Sequence, residues 1–488
     1  MKKLAIFAFT FTAFLSHSQN IEDVYRYSRT YVSGSVRFDA MGGSFGAIGA
    51  ESSCIAINPA GFGRMSVSSI ALGINGTSVK TTSVFNDNSS ALSSFKVRLP
   101  NLAGTYVKDV SAGGSGLLYI QLSAGINRVA NFNNSIQYSG QQFESLLDVF
   151  ANQANGVSPD QLYNYLPYTS SLAYQAYAID PDQQYNYYPR LNSGDMIHNR
   201  TVKKSGGINE WYFAFSGNYI GRVYFGASIS INTLNYSQNI THQESLTDTT
   251  GVSLRSFTYQ YDLKTKGNGT ALKLGAIFVP AEFLRLGIAL HTPTFYDLTD
   301  DYSANMTAIH SYGEQQVDPA FIPANRYKYR LWTPTKAVGS IGFVFQQYGC
   351  INVDLEYVNY AWGNLRSTKD QGYAAYNYKA ENTEVKANLV DALNIRVGGE
   401  WVIKDMFFIR AGYGFYPKGD VLDRTYSKKF DQTISGGFGL RFNRMFIDVS
   451  MRYLAESSIY KAFYESTTYV KTNSMLFNIG LRYKFDYE

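Results

Sequence analysis

The run Phe477-Asn478-Ile479-Gly480-Leu481-Arg482-Tyr483-Lys484-Phe485-Asp486-Tyr487 stands immediately before Glu488, and its reading decides the fold. Phe477, Ile479, Leu481, Tyr483, Phe485 and Tyr487 form one face; Asn478, Gly480, Arg482, Lys484 and Asp486 form the other. A period of two this long fits a strand with lipid on one side and a polar interior on the other. The expectation is a transmembrane antiparallel β-barrel. A terminal strand of this kind is also the usual insertion signal of such barrels, although Glu488 departs from the usual aromatic last residue.

The same period recurs upstream. Val223, Phe225, Ala227, Ile229 and Ile231 alternate with Arg222, Tyr224, Gly226, Ser228 and Ser230. Leu284, Leu286, Ile288 and Leu290 alternate with Arg285, Gly287, Ala289 and His291. Phe407, Ile409, Ala411, Tyr413 and Phe415 alternate with Met406, Phe408, Arg410, Gly412 and Gly414. Glycines recur in the inward set, which suits a crowded lumen better than an empty pore. About fourteen such segments are predicted: 65–77, 96–108, 116–130, 208–220, 222–237, 256–279, 284–300, 332–346, 351–362, 388–402, 406–417, 432–442, 445–457 and 472–486. Short linkers alternate with long ones near 78–95, 131–207, 238–255, 301–331, 363–387, 418–431 and 458–471. Short turns on one side and long loops on the other are the habit of outer-membrane barrels, and an even count leaves both chain ends on the turn side. In the longest loop, 131–207, Phe143, Leu146, Leu147, Phe150 and Ala154 recur at helical spacing before Pro159, Pro167, Pro181 and Pro189 interrupt it.

Composition agrees. Tyr occurs 40 times and aromatic residues make up 16% of 488, as expected where rings gather at two membrane interfaces. The formal charge of +5, with no basic run, argues against nucleic acid. Cys54 and Cys350 have no metal or redox spacing, and a disulfide between them is disfavoured. Lys2 and Lys3, the apolar run Leu4 to Leu15 and the small or polar Ser16-His17-Ser18-Gln19 read as a signal peptide over 1–19. Export to the cell outer membrane is the expectation.

Residues 20–64 do not alternate. They are rich in small residues (Gly34, Ala40, Gly42, Gly43, Gly46, Ala47, Gly49, Ala50) and end in Asn58-Pro59-Ala60-Gly61-Phe62. Small residues let backbone pack on backbone, and Pro59 fixes a turn. A solvated tail would leave Phe38, Phe45, Ile48 and Ile57 in water, so this segment is expected inside the barrel of residues 65–488, as a hatch or plug.

Met41-Gly42-Gly43-Ser44-Phe45-Gly46-Ala47 followed by Asn58-Pro59-Ala60-Gly61-Phe62 resembles the FadL/TodX family of outer-membrane channels for hydrophobic compounds. Leu272 to Leu290 with its Pro280 turn, Leu331-Trp332-Thr333-Pro334-Thr335-Lys336-Ala337 and Val353-Asp354-Leu355-Glu356-Tyr357 add to the resemblance, which covers most of the mature chain. The likeness implies a fourteen-stranded barrel with an N-terminal hatch. It further implies passive uptake of hydrophobic small molecules, such as long-chain fatty acids or aromatic compounds, with hatch movement and lateral release. On that reading Asn58, Pro59, Ala60 and Gly61 are hatch or gating residues, and Phe38, Phe45 and Phe62 are ligand contacts. Partners would be outer-membrane lipid, lipopolysaccharide and the ligand, with no cofactor. The Tyr-rich chain and its signal also resemble proteins of the Bacteroidota, where such a barrel serves a secretion system. The alternative is therefore a subunit or cargo shuttle of a secretion or barrel-assembly complex, docking through 131–207.

Enzyme signatures are weak. Gly42-Gly43-Ser44-Phe45-Gly46 matches the hydrolase-elbow letters without a preceding buried strand or a following helix. The histidines His17, His198, His242, His291 and His310 are scattered, and no zinc or phosphate-loop motif occurs. No catalytic or metal-binding residue is assigned. Arg285, Arg396, Arg410, Arg441, Arg452 and Arg482, with Asp354, Glu356 and Asp448, are expected to face inward as a lumen charge ladder.

Overall fold

The computed structural model describes residues 21–191, 196–318, 322, 325–368, 376–463 and 467–485. The expected signal peptide and the last positions of the terminal run, Asp486 to Glu488, lie outside them. Fourteen antiparallel strands close into a barrel. They are β1 (Ser69–Phe85), β2 (Asn88–Asp109), β3 (Leu117–Asn131, continued by Asn134–Gln142), β4 (Met196–Tyr219), β5 (Val223–Leu246), β6 (Leu254–Ala281) and β7 (Leu284–His291, continued by Phe295–His310). Then follow β8 (Asn325–Trp332 and Lys336–Val344), β9 (Gly349–Asn359, continued by Asn364–Ser367), β10 (Asp391–Ile403), β11 (Phe407–Pro417), β12 (Phe430–Phe442), β13 (Met445–Lys461) and β14 (Thr467–Lys484). β14 closes on β1 from Ser69↔Lys484 to Val84↔Tyr469. Closure removes the sheet edges that hydrocarbon cannot satisfy.

Near the short-turn end the wall is apolar outward. Ile70, Leu72, Phe213, Phe215, Ile229, Ile231, Leu272, Leu274, Ile479 and Leu481 are all exposed. Their inward neighbours are polar, charged or small: Asn75, Glu210, Ser228, Ser230, Lys273 and Asn478 are buried. This belt is the membrane-spanning part.

The strands do not stop where the belt stops. β4 and β5 each run for 24 residues. At about 3.3 Å per residue that is roughly 80 Å of strand, against an apolar band about 25 Å tall. Beyond Thr233 the outward residues of β5 become Asn235, Asn239, Thr241 and Gln243, while inward Leu234, Tyr236 and His242 are buried. β6 makes the same exchange, with Lys264, Lys266 and Asn268 outward and Phe257, Tyr259 and Leu263 inward.

This corrects the sequence-based strand ends. Strand 222–237 continues to Leu246, and 445–457 continues to Lys461. The long linker expected at 78–95 is a hairpin, with β1 joined to β2 through Asn86 and Asp87 alone. Loop 131–207 loses both flanks to strand, because Asn134–Gln142 pairs with Lys204 to Met196. In each case an apolar-outward template ended the strand at the point where solvent replaces lipid and the polarity of the faces exchanges.

Residues 143–191 form a cap over the long-loop end. Helix α3 (Leu146–Ala154) starts with a capping box: the Ser145 side chain accepts from the helix backbone, and Asp148 accepts from the Ser145 N–H. Leu146, Leu147, Phe150 and Ala154 turn inward with Leu172, Phe257, Tyr259 and Met306. Phe143, counted in the helical pattern, precedes the helix and is exposed.

Candidate functional site

Residues 21–65 run through the lumen from the cap side to the foot of β1. Helix α1 (Ile21–Ser28) inserts Val24 and Tyr27 among Tyr236, Tyr329 and Tyr360. The short helix α2 (Val36–Ala40) is capped by Ser35, whose hydroxyl accepts from Phe38 N at 3.2 Å. Gly42 and Gly43 then take left-handed φ values of 64° and 74°, a turn that a β-carbon would strain. Two 3-10 turns follow, Ser52–Ala56 and Pro59–Arg64.

The wall receives this segment on bare glycine. A β-carbon at Gly275 would lie 1.9 Å from Asn58 Oδ1; at Gly226, 2.4 Å from the Pro59 carbonyl oxygen; at Gly287, 2.4 Å from the Gly46 carbonyl oxygen. Gly398 and Gly412 face Met41 and Gly42 with equal tightness. Of the inward glycines noted in the sequence, Gly226, Gly287, Gly412 and Gly480 are thus contact points for one segment, whereas Gly414 faces Thr433 and Tyr416 of the wall. The alternating pattern reported them as inward, and only the register assigned their partners.

Asn58 is fully buried, and its side chain makes three hydrogen bonds. Its Nδ2 donates to the Gly46 carbonyl at 2.7 Å and to the Ala276 carbonyl of β6 at 3.2 Å, and its Oδ1 accepts from Ala60 N at 3.0 Å. Pro59 opens the second 3-10 turn, where its missing N–H costs nothing. Ala60 and Gly61 are buried beside it, and Gly61 donates to the Asn58 carbonyl. Gln121 of β3 ends the segment by donating to the carbonyls of Gly63 and Met65. Phe38, Phe45 and Phe62 are fully buried with Met41, Ile48 and Ile55, and the Phe38 and Phe45 rings stack at 5.5 Å.

Charge then ties the segment to the wall. Arg37 donates to both Glu400 oxygens at 2.8 Å; Glu400 also pairs with Arg410, and Arg410 with Asp448, each at 2.6 Å. Arg452 reaches Asp39 and Arg482 reaches Glu51, both at 3.2 Å. Arg396 pairs with Glu356 at 3.0 Å. The Asp354 carboxylate accepts from Phe45 N and Gly46 N at 3.0 and 3.1 Å. Of the expected ladder, Arg285 and Arg441 sit at the short-turn rim instead, where Arg441 donates to the Asn443 carbonyl. Half of this network pairs wall with segment rather than strand with strand, which sequence spacing does not reveal.

The interior cavity beside α1 is small, about 70 Å³, and polar, with Lys273, Lys336, Glu210, Glu356 and His291 around it. A larger furrow of about 1120 Å³ lies near the short-turn rim across β1 to β4, between Ile70, Tyr106, Leu122, Phe213 and Phe485. Neither is lined by Phe38, Phe45 or Phe62. The two cysteines are buried and free.

The wall is discontinuous in the same sector. β2 and β3 pair from Asp109↔Tyr119 to Asn101↔Asn127 and no further. Pro100, which has no N–H to donate, stands where the ladder ends, opposite an irregularity in the β1 pairing between Gly73 and Asn75. Above it β2 pairs with β1 from Arg98 to Asn88, while the continuation of β3 turns inward over β1 and β14: Asn134 Nδ2 donates to Thr472 Oγ1 at 3.1 Å. Two side-chain bonds cross the seam, Lys96 Nζ to Asn133 Oδ1 at 2.7 Å and Arg98 Nη1 to Asn131 Oδ1 at 3.1 Å. Phe95, Val97 and Leu99 are exposed along it.

No family model and no curated protein matches this chain. Solved structures do. The Pseudomonas putida toluene transporter TodX superposes with a TM-score of 0.54 at 13% identity, over 93% of this chain and 99% of that one. A Pseudomonas aeruginosa FadL homologue gives 0.54 at 10% identity, over 94% and 100%. The CymD monoaromatic hydrocarbon channel gives 0.50 at 13%, over 93% and 98%. The fold is that of the FadL/TodX channels.

Proposed function

We propose that this chain is an outer-membrane channel for passive uptake of hydrophobic small molecules, exported with removal of residues 1–19. Its short-turn end faces the periplasm and its cap the exterior, bordered by lipid and lipopolysaccharide. The neighbours of this fold include a toluene transporter and a monoaromatic hydrocarbon channel. The observation that carries the reading is the seam beside Pro100. An unpaired strand edge in hydrocarbon costs several kcal/mol per unsatisfied group, about what a missing hydrogen bond costs there. Such an edge persists where it borders a path that something polar or mobile can line. Here it adjoins apolar Phe95, Val97 and Leu99 and stands above the furrow.

A cavity of about 70 Å³ is far below the ~300 Å³ of a typical small-molecule site. Ligand therefore passes when the N-terminal segment, acting as a hatch, shifts on its glycine bed. Asn58, Pro59, Ala60 and Gly61 form the pivot, and Phe38, Phe45 and Phe62 become ligand contacts as they leave their pocket. Release is sideways through the seam. The test is a Lys96→Cys, Asn133→Cys staple in a background with Cys54 and Cys350 replaced by Ala. Oxidation should abolish uptake of fatty acid or toluene and reductant restore it; uptake indifferent to the staple overturns lateral release. Pro59→Leu should alter uptake while the barrel still inserts, and normal uptake by it removes the pivot.

A second reading is favoured by the cap, which is a closed apolar core carrying exposed Tyr163, Tyr165, Tyr177, Tyr185, Tyr188 and Tyr312. Tyrosines in this density suit a protein partner, as in a secretion or assembly complex. Gentle purification from native membranes separates the two: a stoichiometric partner favours the second, and the protein alone with bound lipid favours the first.

A further inference from the structure

We infer that the extracellular ends of β4 and β5 hold a divalent transition-metal ion of the zinc class, bound by His198, His242 and Glu244. The register makes the site. His198 of β4 lies directly across from Glu244 of β5, and His242 stands two residues before Glu244 on the same inward face. His242 Nε2 is 2.8 Å and His198 Nδ1 3.8 Å from Glu244 Oε1, and one ligand atom from each of the three lies within 4.8 Å of the others. Zinc–nitrogen and zinc–oxygen bonds near 2.0–2.2 Å put neighbouring ligand atoms about 3–3.5 Å apart. These two separations straddle that range, so a small movement of the rings seats the ion.

The second observation is what the site lacks. All three side chains are fully buried. Both ring nitrogens of His198 and Nδ1 of His242 have no hydrogen-bond partner. A neutral imidazole has one donor and one acceptor nitrogen, and burying both unmet is costly. At these separations a metal ion would take the unpartnered His198 Nδ1, His242 Nε2 in place of its 2.8 Å hydrogen bond to Glu244, and the carboxylate as the third ligand, leaving a fourth position for water. Phe463 packs against both rings, at 6.0 and 5.5 Å, and Phe257 against His242, which keeps bulk solvent out. Arg200, across from His242, donates to the Tyr460 hydroxyl at 2.9 Å.

Glu244 also holds the cap. Its carboxylate accepts from Leu146 N at 2.7 Å and from Ser145 Oγ at 2.5 Å, at the start of α3. An ion on Glu244 would therefore staple the strand extensions and the cap helix together. Its role is structural and independent of whether the barrel transports anything.

The full mature chain, untagged and folded in detergent, is loaded with Zn²⁺ and desalted for metal analysis, and a second sample is loaded with Co²⁺. The expected result is one zinc per chain, a Co²⁺ absorption spectrum of low-coordinate type, and slower proteolysis of the 143–191 cap with zinc than with chelator. His198→Gln and His242→Gln should each weaken zinc binding at least about tenfold. X-ray absorption of the zinc-loaded wild type should show two imidazoles and needs no variant to fold. No retained zinc, zinc with no imidazole in its shell, or affinity unchanged in both variants overturns the site.

Discussion

The membrane belt and the strand extension beyond it are built from the same strands, yet their faces have exchanged roles. In β5, Phe225, Ile229 and Ile231 face lipid while Ser228 and Ser230 face the lumen; a few residues on, Asn239 and Thr241 face outward while Tyr236 and His242 are buried. The period of two never breaks. What changes is the medium outside. In the belt the outside is hydrocarbon, so the interior carries the polar groups and pairs them through Arg410, Glu400, Asp448 and Arg37. In the extension the outside is water, and the interior becomes an ordinary apolar core around Leu147 and Phe150. One wall thus encloses two cores of opposite chemistry.

The largest expected effect tests the upper core. Phe150→Ala should destabilise the cap by about 3–5 kcal/mol, read as faster limited proteolysis of 143–191 while heat-modifiable migration of the barrel is unchanged. Loss of barrel folding by this variant would mean the two halves are one cooperative unit. Next is a matched pair on the outer face. Phe213→Arg, in the belt, should cost about 2–4 kcal/mol of folding into vesicles, whereas Thr201→Arg, on the same strand in the extension, should stay within about 0.5 kcal/mol. Equal costs at the two positions would break the distinction.

A smaller effect concerns the interior of the belt. Asn58→Ala leaves the Gly46 and Ala276 carbonyls without their donor, at about 1–3 kcal/mol. It should loosen the N-terminal segment and raise ion conductance in planar bilayers without preventing insertion. Gly275→Val, whose side chain would collide with Asn58, should do the same more strongly. Gly104→Ala is the control, since nothing lies within 4 Å of its would-be β-carbon. A conductance unchanged in both Asn58→Ala and Gly275→Val would show that the segment is held elsewhere.

Much of the belt was legible in the sequence because a membrane strand has one invariant, apolar outward every second residue. The run ending at Phe485, the alternation of 284–290 and the inward placement of Arg396, Arg410, Arg452 and Arg482 follow from it. The extensions read as loops for the same reason: Lys80 and Thr82 on the outer face of β1 look like loop residues once lipid is assumed outside. The buried state of Phe38, Phe45 and Phe62 follows from their size and apolarity. Which groups they pack on does not, since Met41, Ile48 and Ile55 come from turns whose course the pattern leaves open.

The amino-acid sequence by itself determined that this is a barrel, about how many strands it has and which residues face lipid, because hydrophobic alternation is a local property that any two neighbouring residues express. The tertiary structure decided what meets across the wall. Gly275 against Asn58, Arg37 against Glu400, the ladder ending at Pro100, and His198 opposite Glu244 are all set by register and by the path of one segment through the lumen. Those contacts join residues far apart along the chain, and a slip of one residue in the pairing would turn the side chains onto opposite faces and undo them.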